Sequence, residues 1–256
     1  MINHLKNIPD FKRILSLFNN NNRTKYICPF CNYSSNELSV IGSDLPVLIQ
    51  KQVIGGGTRK GGCNNCGSTD RERLIFVYLK EKVKIFNQDK NKSILHIAPE
   101  YNLSAKLLEF HFNNYVCGDL FTEGFDYPPY VQNIDILNIP FCDNTFDVII
   151  CNHVLEHIPN DLHAMKELQR VLKIGGQAIL QVPISKNSAV TFEDFSITDS
   201  EERLKAFGQF DHFRIYGQDY VDRLTESGFK VNRVNISRKY IRFGLNIDED
   251  IFIGIK

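Results

Sequence analysis

Residues 133–158 read NIDILNIPFCDNTFDVIICNHVLEHI, and this stretch decides the architecture. From Phe146 to Cys151 only Asp147 is polar. An apolar run of that length, closed by polar residues, is a strand buried on both faces. Asp135 closes the apolar segment before it, and Asn152-His153 leads into a helical pattern. The same alternation continues outward in both directions. Candidate strands fall at 93–98, 115–119, 131–135, 146–151, 177–183, 229–236 and 250–255, with helical patterns at 103–112, 153–158, 161–173 and 217–227. Gly175-Gly176 and Gly228 supply helix stops just before strands. Strands alternating with helices imply right-handed crossovers and a mainly parallel α/β sheet covered on both faces. The last two strands have no helical pattern between them and are expected to pair antiparallel.

The 256 residues carry 30 Lys+Arg against 30 Asp+Glu, so net charge gives no pull toward nucleic acid or an anionic membrane. No apolar run is long enough to span a bilayer, and the first residues lack a signal-peptide core. A soluble, cytoplasmic protein with no membrane partner is the expectation. Phe11, Ile14, Leu15 and Phe18 predict a short helix, and Asn19–Asn22 reads as a linker.

The seven cysteines are an odd number, which disfavours a disulfide framework. Four form two C-x2-C pairs, Cys28/Cys31 and Cys63/Cys66. Two residues between thiols let one tight turn aim both sulfurs at a single ion, and four thiolates satisfy tetrahedral Zn2+. Asn32 and Gly67, which follow the pairs, tolerate the left-handed backbone such a knuckle needs. A closed four-sulfur site is structural rather than catalytic. Thr69 and Glu72 then form a capping box that starts a helix.

In open α/β sheets, ligands sit beyond the carboxyl ends of the strands. The strand SILHI (93–97) is the natural first one. It is followed by Ala98, Pro99 and Glu100, where nucleotide-binding folds often carry glycines. Asp119 ends the next strand, 19 residues past Glu100, a spacing that suits a carboxylate holding a ribose diol.

At this point the chain resembles the class I S-adenosyl-L-methionine-dependent methyltransferases of the type-11 kind. The resemblance lies in IDILNIPFCDNTFDVIICNHVLEHI (134–158) followed by LHAMKELQRVLKIGGQAILQVPI (162–184). It implies a Rossmann-like, seven-stranded, mainly parallel sheet over 73–256. A small N-terminal zinc ribbon (23–72) resembles that of a subgroup, and 1–22 precedes it. It further implies that the turn 98–102 lies under the methionine part of the cofactor and that Asp119 holds the ribose. Asp135, with Ile136, faces the adenine, and Cys151, Asn152 and His153 line the methyl-transfer face. The usual opening is Leu-Asp-x-Gly-x-Gly; here His96 stands at the acid and Ala98 at the first glycine. Glu100 can supply the missing acid from further along the turn, or it is a solvated carboxylate at a helix start.

The stretch HVLEH (153–157) fits a zinc-protease pattern, but the family motif already accounts for it. His153 then reads as a site residue and His157 as a packed histidine. DYPPY (126–130) reads as a loop. His212, Arg214 and Tyr216 alternate in FGQFDHFRIYG. His212 and Arg214 are candidates to deprotonate and hold the methyl acceptor, while Tyr216 is expected to tie the loop to the sheet. The expected acceptor is a small or sugar-like molecule. The alternatives are an RNA acceptor gripped through Lys51, Arg59, Lys60, Arg71 and Arg73, and a catalytically silent binding protein.

Overall fold

The computed structural model describes residues 24–87 and 90–256. The helix expected at 11–18 and its linker lie outside the described residues. One seven-stranded sheet organises the chain. Its strands are β1 (Ser93–Ile97), β2 (Asn114–Asp119), β3 (Val131–Asn133), β4 (Phe146–Asn152), β5 (Leu172–Gln181), β6 (Lys230–Val234) and β7 (Ile251–Ile255). The order across the sheet is β6-β7-β5-β4-β1-β2-β3. The five strands from β5 to β3 run parallel. β7 pairs antiparallel with β5 and β6 with β7, as expected from the helix-free connection.

Period-two alternation sends the apolar side chains of each central strand to opposite layers. Leu95, Ile149 and Cys151 face a core closed by α3 (Asp161–Val171) and α5 (Tyr220–Glu226). Ile94, Val148 and Ile150 face a second core closed by α1 (Asp70–Tyr78) and α2 (Tyr101–Phe110). This is why β4 reads as an unbroken apolar run. Leu74, Ile75, Val77 and Leu79 are essentially sealed, and each such side chain contributes about 1.5–3 kcal/mol of transfer free energy.

The segment 26–68 packs directly against the sheet-bearing part of the chain. Cys28, Phe30 and Cys63 pack in the same core as Leu74 and Ile94. Val53–Ile54 pairs antiparallel with Ile184–Ser185, just beyond β5. Arg73, fully buried, donates to the carbonyls of Gly61 and Ser68 on one side and Phe243 and Gly244 on the other. The boundary expected at 72/73 falls inside α1, whose start is the foreseen capping box: Thr69 and Glu72 each cap the other's backbone N–H.

Some edges differ from the sequence reading. β3 stops at Asn133, so Asp135 lies in the following turn. α3 ends at Val171 and β5 starts at once, with a register shift between Leu172 and Gln177. The glycines therefore shape a bulge rather than a helix stop: Gly175 has φ +76 and its N–H donates to Lys256 O at 2.9 Å. At 153–158 there is only one 3-10 turn, Leu155–His157.

Candidate functional site

The four cysteines converge. Their sulfurs lie within 4.8 Å of one another, with Cys28–Cys66 at 3.6 Å and Cys31–Cys63 at 3.7 Å. Four sulfurs about 2.3 Å from a shared zinc would stand about 3.8 Å apart, so the cradle has the right size. The two turns are built alike. Asn32 N–H donates to Cys28 O and Gly67 N–H to Cys63 O, at 2.9 and 3.0 Å. Asn32 and Gly67 take φ of +59 and +71, the left-handed conformation their residue types suggested. None of the cysteines is in a disulfide.

The carboxyl ends of the parallel strands share one edge, and a chain of polar side chains crosses it. Tyr115 OH meets His96 Nδ1 at 2.9 Å, His96 Nε2 meets Glu100 Oε2 at 2.9 Å, and Asn152 Nδ2 donates to Glu100 Oε1 at 3.1 Å. These groups come from β2, β1, the turn after β1 and the last residue of β4, which are neighbours only in the sheet. His96 is completely buried, a cost met by hydrogen bonds on both ring nitrogens. Glu100 is therefore not a free helix-start carboxylate. Burial alone would raise its pKa, but His96 and Asn152 hold it below the usual range. Ala98 takes φ +47, so the chain keeps the glycine-type bend without the glycine.

Asp119 ends β2 half-exposed, its carboxyl pushed up by burial against the pull of the Leu120 N–H. Asp135 is exposed and accepts the Leu137 N–H at 2.8 Å, closing its own turn. The side chains of Ile136 and Cys151 belong to the core.

A cavity of about 490 Å³ opens beside this edge, over the tips of β4 and β5. Its walls include Gly55 from the cysteine segment, Arg71 from the first turn of α1, His153 and Glu156 after β4, and His212 after α4 (Ser200–Phe207). Glu100, Asp119 and Asp135 are not among its lining residues. The two regions meet at the end of β4: Asn152 binds Glu100, and the next residue, His153, faces the cavity. His153 has φ +54, and its N–H donates to Gln181 O at 2.8 Å.

The cavity is rich in buried titratable groups. Neither ring nitrogen of His153 and neither carboxylate oxygen of Glu156 has a hydrogen-bond partner; the two groups approach to 3.5 Å. Burial and the Arg71 charge lower the pKa of His153. Burial would raise Glu156, but His153 and the charges of His212 and His157 bring it to about 2. Burial lowers His212 to about 4, and Asp211, 3.1 Å from Nδ1, raises His157 against its own burial.

The candidates from 212–216 separate. His212 lines the cavity, 4.5 Å from His157 ring to ring and edge-on. Arg214 borders it but is 1% exposed, and its guanidinium is engaged by Leu155 O, Ile158 O, Pro159 O and Glu193. It braces the turn after β4 rather than offering free donors to an acceptor. Tyr216 ties the loop down, as expected, by donating to Asp161 at 2.7 Å. The basic cluster also disperses: Arg73 is buried, and Arg59 forms a two-pronged pair with Asp70 at 2.6 and 2.8 Å. Glu156 and Glu249 were not singled out from sequence. The signal for Glu156 was present, inside HVLEH.

Residues 97–180 match a family model described as "Methyltransferase domain". An uncharacterized protein of Methanocaldococcus jannaschii is 37% identical over 120 residues, 46% of this chain and 52% of that protein. A demethylmenaquinone methyltransferase of Staphylococcus epidermidis is 44% identical over 45 residues, 18% of this chain and 19% of that enzyme. The chain thus spans about half the length of the first relative and about a fifth of the second. Among solved structures, an S-adenosylmethionine-dependent methyltransferase from Mesorhizobium loti superposes with a TM-score of 0.46 at 12% identity, covering 71% of this chain and 98% of that one. No helix among the described residues is long and apolar enough to cross a membrane.

Proposed function

We propose that the protein transfers a methyl group from S-adenosyl-L-methionine to a small-molecule acceptor held in the cavity over β4 and β5. The observation that carries this reading is the Asn152–Glu100 hydrogen bond with His153 next in the chain. It joins a cofactor-type strand turn to the cavity through two consecutive residues. The family match over 97–180 supports the same reaction class.

The residues at the strand tips suit the cofactor. The bend at Ala98 brings backbone rather than a bulky side chain to the tip of β1. Asn152 Oδ1 is buried and has no partner, so together with the Glu100 carboxylate it offers acceptors to an ammonium. Asp119 stands at the tip of the neighbouring strand, where a ribose diol would meet it. When bound, the cofactor supplies an electrophilic methyl on a sulfonium. The chain's own part is placement: reacting atoms held in line and water kept out lower the barrier without further chemistry. His153 and His212 face the cavity, where an acceptor proton would leave.

The domain division follows the same reading: a zinc ribbon over 23–72, with Zn2+ on Cys28, Cys31, Cys63 and Cys66, built onto a methyltransferase domain over 73–256. The zinc role is structural, because all four tetrahedral positions are filled by thiolates.

Calorimetric titration with S-adenosylhomocysteine tests the proposal. Micromolar binding that weakens about 10- to 100-fold in Asp119→Ala, the worth of a charged hydrogen bond, is the expected result. Folded protein with no binding at millimolar ligand would leave a silent member of the fold.

A further inference from the structure

We propose that Glu156, His157 and His212 form a second metal site, which takes a divalent first-row transition cation inside the acceptor cavity. One ligand atom from each of the three lies within 4.8 Å of the others. All three residues line the cavity. Ligands about 2.1 Å from one ion stand about 3.0–3.4 Å apart, so small side-chain rotations complete the set.

The state of Glu156 carries the argument. Its side chain is 1% exposed, and neither oxygen accepts a hydrogen bond. A buried carboxylate left in that condition is unfavourable unless a cation meets it. Among the described residues no guanidinium or ammonium lies within ion-pair distance of it; its neighbours are imidazoles. His157 also carries the outer support typical of metal-bound histidine: the Asp211 carboxylate 3.1 Å from its Nδ1 fixes the ring.

Two imidazoles and one carboxylate suit Zn2+, Mn2+, Co2+ or Fe2+ better than Mg2+ or Ca2+, which prefer all-oxygen shells. Three protein ligands also leave coordination positions open, unlike the four-cysteine site. Those positions would face the cavity. Given the methyl-transfer reading, on which this extension rests, they suit a hydroxyl oxygen of the acceptor, whose proton a bound cation makes easier to lose. His212 is then a ligand and not a base, and His153, with both ring nitrogens unpartnered, is left to accept the proton.

Cobalt provides the test, without cofactor or acceptor. Zinc-loaded protein is dialysed against Co2+, and bound metal is counted together with the visible spectrum. One further equivalent with weak d–d bands and no thiolate charge-transfer band is expected. It should be lost in Glu156→Gln and in His212→Asn, while both variants keep their cysteine-bound zinc. No second equivalent in the wild-type protein at millimolar Co2+, or binding unchanged in both variants, overturns the site. Because S-adenosylhomocysteine binding is measured separately, failure here is distinguishable from failure of the methyltransferase reading.

Discussion

The guanidinium of Arg73 donates to the carbonyl of Gly244, 2.7 Å away in space and 171 residues further along the chain. The same group holds Gly61 and Ser68 on the cysteine segment and Phe243 beside Gly244. Arg73→Met removes the charge and leaves four carbonyls, three of them on buried residues, short of a donor. The expected loss is about 3–5 kcal/mol. Arg73→Lys should recover little of it, because three ammonium donors on a flexible stem cannot reproduce the planar fork. Urea midpoints of the three proteins check both statements.

Metal removal should unfold more than the ribbon. Cys28 and Cys63 share their core with α1 and with β1, so opening the knuckles exposes sheet-facing surface. Stripping zinc with a strong chelator, or substituting Cys63→Ser, is expected to lower the Tm of the whole chain in one transition. The cost is on the order of 5 kcal/mol or more, since metal binding here is folding energy. Circular dichroism melts with and without chelator decide it; a sheet that melts unchanged would contradict the shared core.

Ala98 pays for its bend. A left-handed conformation costs a non-glycine residue about 1–2 kcal/mol, and glycine recovers that minus about 0.4–1 kcal/mol of unfolded-chain entropy. Ala98→Gly should therefore stabilise by between about 0 and 1.6 kcal/mol. Denaturant midpoints at unchanged m-value would show it.

Glu249 makes stability pH-dependent. Burial, then the Asp70 charge, raises its carboxyl to about 7, with Arg59, Arg71 and Gln181 opposing. The folded chain thus holds a proton that the unfolded chain releases at its ordinary value of 4.5. Stability from this group is full below that value and declines as pH rises through about 7, by about 3 kcal/mol at most. Glu249→Gln should melt above the wild type at pH 8, with the difference shrinking toward pH 5. Paired melts at the two pH values check the sign.

The legible parts of this protein were the local ones. β4 was readable because a strand buried on both faces leaves its own apolar run, and each cysteine knuckle because its two-residue turn is self-contained. The expected strands were all found, some with shifted ends. What escaped depends on register and on distant backbone. Glu100 is tied locally by His96, four residues back, and by Asn152, which meets it only once β4 lies beside β1. Arg73 looked like part of a basic surface, and nothing in a linear string reveals carbonyls waiting 170 residues away. Arg214 looked like an acceptor contact for the same reason. The Glu156 cluster was half visible in HVLEH, but its third member, His212, arrives from a loop beyond α4.

The strand pairing of Val53–Ile54 with Ile184–Ser185 places a loop of the cysteine segment as one wall of the cavity. At Gly55 that wall comes so close that an added Cβ would stand 3.2 Å from the His153 ring. Under the proposed function, part of the cavity's shape is thus set by a stretch of chain distant in sequence from the cofactor-type strand tips. Substitutions within residues 41–57 should then change acceptor preference in a methyl-transfer assay while S-adenosylhomocysteine binding stays as in the wild type.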